Sequence, residues 1–301
     1  MSSVGGRFVR GAALFAGLLL AVGVLVAGCA GSEQKRELTV GNINWDESIA
    51  VSNLTKVLLE EEIGYENVEL RTLDVEQLFE GVGSGDLDAF QDVWLPNHRE
   101  YLNPVEDDVV LLAPWFQGQT SFGIAVPSYV NIQTISQLNQ TNIREILGIE
   151  SGAVISRRIL ESVIPTYDLE QDYVESSSTA GMLAEVENRY NNGEDFSFIA
   201  WSPHWMNQRY DHTLLDDPED ALGDLNDGAE IAMVVNEDLP DDDPVAYAFM
   251  EALTLTEEQV NDLEDTINEA GDPLEGARQW AQDNRDVVEP WLEAARNAQE
   301  S

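Results

Sequence analysis

The segment Asp88-Ala-Phe-Gln-Asp-Val-Trp-Leu-Pro-Asn-His98 decides how the rest of the chain reads. It has the pattern of a short strand running into a Trp-Leu-Pro turn, with a histidine just beyond. Asn44-Trp45-Asp46-Glu47 and Ala200-Trp201-Ser202-Pro203-His204 repeat the arrangement, each setting a tryptophan beside polar or turn residues. A tryptophan is costly to expose, and a turn is a poor place for one that only fills a core. Three such sites imply aromatic walls converging on one pocket. Aromatic faces are what a quaternary ammonium ion needs from a receptor, because it has no N–H to donate.

Upstream of this segment, Glu37 to Ile43 reads as a buried first strand. Ser48 is placed to cap a helix whose apolar residues Ala50, Leu54, Val57 and Leu58 share one face, and Gly64 ends it. Val68 to Leu73 is a second strand, and Asp74 caps a helix running through Val82. Strand, helix, strand, helix, strand predicts an α/β sheet, in which ligands bind beyond the carboxyl ends of the strands. Trp45 and Trp94 both fall at such ends.

A second lobe opens with the strand Ser121 to Pro127. Ile135 to Leu138 and Ile143 to Leu147 read as short helical pieces, and Phe196 to Trp201 as the strand that ends at the third tryptophan. The turn Gly148-Ile-Glu-Ser-Gly152 feeds a helix, so its free amides are placed for a carboxylate. Ile231 to Val235 predicts a strand that returns to the first lobe. Beyond it the chain is helical, with a capping box at Thr256-Glu-Glu-Gln259 and a stop at Gly271. Trp280 and Trp291 fit the core of this region, and Trp115 and Trp205 fit structural positions. The expected organisation is lobe 1 over 38–118 and 222–301, and lobe 2 over 119–221.

The N-terminal 28 residues carry Arg7, Arg10 and an apolar run from Ala12 to Ala27, with no acid. That is the pattern of an export signal, and the run is short for a membrane span. It ends in Leu-Val-Ala-Gly ahead of Cys29, the one cysteine of the chain, which cannot form an internal disulfide. The segment resembles a lipobox, which implies that Cys29 is a lipid-modified first residue and that 29–37 is a tether on the extracytoplasmic face of the membrane.

Fifty-seven acids face 15 bases, for a formal net charge of −42. Such a field repels nucleic acid and anionic membrane, which excludes both as binding partners. An acid-rich surface with only Lys35 and Lys56 as lysines has the composition of a halophile's protein. The acid runs Glu60–Glu62 and Asp241–Asp243 read as solvated faces. The sequence carries no P-loop and no Gly-x-Ser-x-Gly elbow, and His98, His204 and His212 lack a metal-ligand spacing. An enzyme is not expected, nor a cofactor or a metal.

Asn44-Trp45-Asp46-Glu47, Gly85-Asp-Leu-Asp88, Trp94-Leu-Pro96, Gly148-Ile149 and Trp201-Ser-Pro-His204 together resemble the signature segments of glycine betaine/proline betaine-binding proteins of ABC importers. The likeness runs from about Leu38 to Pro218. It implies a type II periplasmic-binding-protein clamp: an α/β protein of two lobes, each a mainly parallel sheet flanked by helices, closing on a ligand. It also implies a cage of Trp45, Trp94 and Trp201, with the amides of Gly148 and Ile149 and the ring of His98 taking the ligand carboxylate. The partners implied are an ABC permease and its ATPase, served by a monomeric receptor held on the membrane by its lipid alone. Choline and carnitine compete with glycine betaine as ligands, and a choline site would want an acid near the cage. A sensor of the same fold, without a transporter, is the other class of function.

Overall fold

The computed structural model describes residues 36–300. The expected export signal, Cys29 and all but the end of the expected tether lie outside the described residues.

Two five-stranded sheets organise the chain. The first runs β2 (Asn67–Thr72), β1 (Glu37–Asn42), β3 (Ala89–Leu95), β11 (Glu230–Asn236) and β4 (Val109–Leu111) across its width. The second runs β10 (His212–Leu214), β6 (Ser121–Pro127), β9 (Ser197–Ser202), β7 (Glu145–Gly148) and β8 (Asp172–Glu175). A two-stranded ribbon pairs β5 (Phe116–Gln117) with β12 (Leu255–Thr256). Each five-stranded sheet with its helices makes one lobe, and the chain passes between them twice, before β6 and before β11. Thr120 Oγ1 donates to the Ala229 carbonyl and accepts the Ala229 amide, which ties the two passages together.

The sheets are mixed in direction. β1 pairs parallel with β2 and β3, whereas β11 runs antiparallel to β3 and β4. In the second sheet β7 is parallel to β8 and β9, and β6 is antiparallel to β9 and β10. The central strands β3 and β9 are buried along nearly their whole length; β9 is apolar from Phe198 to Trp201, whereas β3 carries the buried polar residues Gln91 and Asp92 between its apolar ends.

Three local expectations need correction. Ile143 to Leu147 is not helical: it forms β7, with Ile146 and Leu147 buried against β8 and β9. A short apolar run carries no period that separates helix from strand, and the sheet decides it. The first helix starts at Asp46, not after Ser48, with Trp45 in extended backbone as its N-cap residue. Ser48 Oγ instead accepts the Ile43 amide and donates to Asn42, fixing the end of β1. The acid runs are engaged as well as solvated. Glu60, Glu61 and Glu62 meet Lys56, Arg278 and Arg285, while Asp243 takes the Tyr65 hydroxyl and caps the helix Pro244–Ala252.

The C-terminal helices Glu257–Ala270, Pro273–Asp283 and Arg285–Gln299 pack on the first lobe, and the capping box at Thr256 and Gln259 is formed. Trp280 and Trp291 are buried there, the first donating to Asp262 and the second lying edge-on to Phe249. Trp115 is equally buried and donates to the Gln91 carbonyl.

Candidate ligand-binding site

The three turn tryptophans all stand at carboxyl ends of strands. Trp94 is the penultimate residue of the central strand β3, Trp201 that of the central strand β9, and Trp45 follows β1. The folding of the two lobes brings them to one small pocket of about 30 Å³, lined by Trp45, Trp94, Trp201, His98 and Ile149 together with Glu47, Asn97, Phe122 and the Ala153–Ile155 segment. Both turns that follow a cage strand hold a cis proline, at Leu95–Pro96 and Ser202–Pro203.

Gly148 does not line the pocket. It closes β7 one residue behind Ile149, and a Cβ there would come within 2.1 Å of the Tyr173 ring. Tyr173 in turn donates to the Ile149 carbonyl, so the glycine lets a tyrosine buttress the turn.

His98 is buried, and its Nδ1 accepts the Trp94 amide at 3.2 Å. That bond assigns the ring proton to Nε2, so the residue offers one neutral N–H donor. Burial, with Arg157 nearby, pushes its pKa down to about 3, and the ring stays uncharged at ordinary pH. His204, by contrast, does not line the pocket but is buried against one of its walls. It lies edge-on to Trp201 with ring centroids 4.7 Å apart, and its Nδ1 accepts the Met206 amide.

Sequence reasoning missed the acids. Each cage indole has a carboxylate on its N–H: Glu150 for Trp45 at 2.8 Å, Asp92 for Trp94 at 2.8 Å, and Glu47 for Trp201 at 3.4 Å. Glu47 is buried in the lining, and burial together with Asp92 and Glu264 raises its pKa well above the usual carboxylate range. Burial likewise lifts Asp92 to about 8 and Glu264 to about 7. Burial would raise Asp46 too, but the neighbouring His204 and hydrogen bonds from His204 and Trp205 bring its pKa below the usual value. Phe122 was missed for another reason. It is in register with Trp201 across the β6–β9 pair and edge-on to Trp94 at 4.8 Å, which is legible only once the pairing is known.

Residues 36–283 match the family described as the substrate-binding domain of the ABC-type glycine betaine transport system. The chain belongs to this family. It is 30% identical over 159 residues to the glycine betaine/carnitine transport binding protein GbuC of Listeria monocytogenes, a match that covers 52% of this chain and 50% of the relative's length. Two solved structures of the family superpose on it with TM-scores of 0.77, each at 26% identity. One is lactococcal OpuAC in its closed, liganded conformation with glycine betaine, where the match covers 85% of this chain and 99% of that one. The other is the glycine/betaine/L-proline-binding protein ProX of Borrelia burgdorferi, where it covers 87% and 100%. The family fold is the two-lobe clamp, and its members are substrate-binding components of transporters.

The raised acids predict a pH dependence of stability. A carboxyl group with a raised folded pKa adds stability that is complete below its unfolded value and lost as pH rises through the folded one. For Asp92 that loss extends up to about pH 8. Asp92→Asn keeps an oxygen for the Trp94 indole and removes the titration. Its melting temperature should therefore exceed the wild type's at pH 9 by more than it does at pH 5.5. An equal difference at both pH values would mean that Asp92 is ionised in the folded protein.

Proposed function

We propose that the chain is the substrate-binding subunit of an ABC importer for glycine betaine or a related quaternary ammonium solute. The observation that carries this reading is the convergence of Trp45, Trp94 and Trp201 on one pocket with His98 beside them. A trimethylammonium group presents only methyl surface and charge, and the ring faces answer both. The Nε2–H of His98 and the backbone amide of Ile149 supply neutral donors for the carboxylate, with Gly148 setting the turn. The partners of this role are a permease and an ATPase, with lobe 1 taken as 38–118 and 222–301 and lobe 2 as 119–221.

Glu47 favours a second reading, a hydroxylated cation such as choline. In its protonated form this acid can donate to a ligand carboxylate. Once ionised, it would balance a ligand that brings net positive charge. Titration calorimetry of glycine betaine, proline betaine, carnitine and choline in two buffers of different ionisation enthalpy tests both readings at once. The betaine reading expects glycine betaine to bind tightest, with the same enthalpy in both buffers. Choline binding tightest, with a buffer-dependent enthalpy from proton release, would establish the second reading in its place. Failure of all four to bind would remove both.

No helix among the described residues is long and apolar enough to cross a membrane. We take Cys29 as the lipid attachment that holds the receptor on the extracytoplasmic face. Cys29→Ser should release the protein to the medium or leave it unprocessed on cell fractionation. Normal cleavage with full membrane retention would refute the anchor.

A further inference from the structure

The acids on the cage indoles are distributed across the cleft. Trp45 belongs to the first lobe, and the carboxylate on its N–H, Glu150, lies two residues past the end of β7 in the second. Trp201 belongs to the second lobe, and Glu47 comes from the first. Each lobe therefore holds one cage ring of the other. Asp92 does not cross, since it lies two residues from the Trp94 it binds.

Glu150 also stands at a boundary. Ile149, Ala153 and Trp45 line the cage, whereas Glu150, Gly152 and Asn44 line an outer cleft of about 280 Å³ with Asp74 and Ser177. The Trp45–Glu150 bond thus closes the seam between the two spaces. The same rim is joined by Tyr101, whose hydroxyl donates to the Gly152 carbonyl, and by the ion pair of Glu100 with Arg157. These contacts bridge the lobes on one side of the cleft.

We propose that Glu150 is a positioning residue and latch: its carboxylate fixes the plane of the Trp45 indole across the cleft, and ligand leaves the cage only after that bond opens. The proposal rests on the quaternary ammonium reading of the pocket and adds to it a group that need not touch ligand. A ring held by an acid from the opposite lobe reaches its binding orientation only when the lobes close, so cage assembly and closure become one event. The carboxylate also draws on the indole N–H and makes the ring face more negative toward a cation.

The test compares Glu150→Ala and Glu150→Gln with wild type. In ¹⁵N-tryptophan-labelled protein, the Trp45 Nε1–H resonance is assigned by its loss in Trp45→Phe. It should move upfield in Glu150→Ala and stay closer to its wild-type position in Glu150→Gln, which keeps an acceptor oxygen. In stopped-flow fluorescence with glycine betaine, the dissociation rate of Glu150→Ala should rise roughly 10-fold, while its association rate changes less. Glu150→Gln should fall between it and wild type. Melting temperature should hold in both variants, which separates a latch from a general fold defect. An unmoved Nε1 resonance in Glu150→Ala would overturn the proposal, as would a wild-type dissociation rate in a variant whose resonance has moved. If wild type does not bind glycine betaine, the functional reading fails on its own, and the resonance alone decides whether Glu150 positions the ring.

Discussion

Alanine in place of Trp45, Trp94 or Trp201 is expected to lower glycine betaine affinity by roughly 30-fold or more in each case, the loss of about 2 kcal/mol from one desolvated cation–π contact. The three rings are not equivalent neighbours of a general core, because all three line one pocket and sit at the ends of strands that the sheets align. Phenylalanine should retain more binding than leucine of similar bulk, since it alone keeps a π face. Phenylalanine also gives up the indole N–H, so at Trp45 it loses the bond to Glu150 and should retain less than it does in a cage without such bonds. Trp280→Ala is the control. That ring packs among the C-terminal helices and donates to Asp262, so its loss should lower melting temperature and leave affinity in the folded protein unchanged. Isothermal titration of the four alanine variants reads both effects. Three cage variants that fold and bind like wild type would end the cage interpretation.

The convergence of the three tryptophans on one pocket was legible because tryptophan in a turn has no ordinary explanation, and alternating strands and helices say where strand ends converge. The acids were not legible. Glu47 lies in the first turn of a helix, where a carboxylate is accounted for by the helix dipole. Its burial depends on Trp201, which lies 154 positions along the chain. Glu150 follows a glycine-containing turn and has the look of a solvated loop acid until Trp45 is brought across the cleft to it. Phe122 enters the lining through the register of β6 on β9, and β7 took its direction from the strands beside it, not from any period of its own. In each case the missing information is a pairing between distant segments. The tautomer of His98 follows from one short-range bond, the Trp94 amide on Nδ1, which links the two most informative residues of the opening segment, while its neutral charge comes from burial.

Folding should depend steeply on salt. Fifty-seven acids against 15 bases leave 42 negative charges uncompensated in the whole chain. Ten of the lysines and arginines among the described residues are already committed to ion pairs, several of them to two acids at once. Arg189 meets Glu145 and Glu185, Arg278 meets Glu61 and Glu275, and Arg285 meets Glu62 and Glu289. No spare cation remains in these clusters to offset the rest, so the offset must come from dissolved ions. At tenths of molar salt the screening length is still roughly 10 Å, comparable to the spacing of neighbouring surface charges, and it contracts to about 3 Å near 1 M. Melting temperature should therefore climb by roughly 10 °C or more between 0.1 and 2 M KCl. A neutral osmolyte at equal osmolality should do less, because it stabilises burial without screening charge. The exposed acids Glu106, Asp107 and Asp108 localise the cause. Their replacement by Gln, Asn and Asn should raise melting temperature at 0.1 M KCl and have little effect at 2 M, where the repulsion they add is already screened. A melting temperature indifferent to salt, or a triple variant with the same shift at both concentrations, would show that the acidic surface does not govern stability.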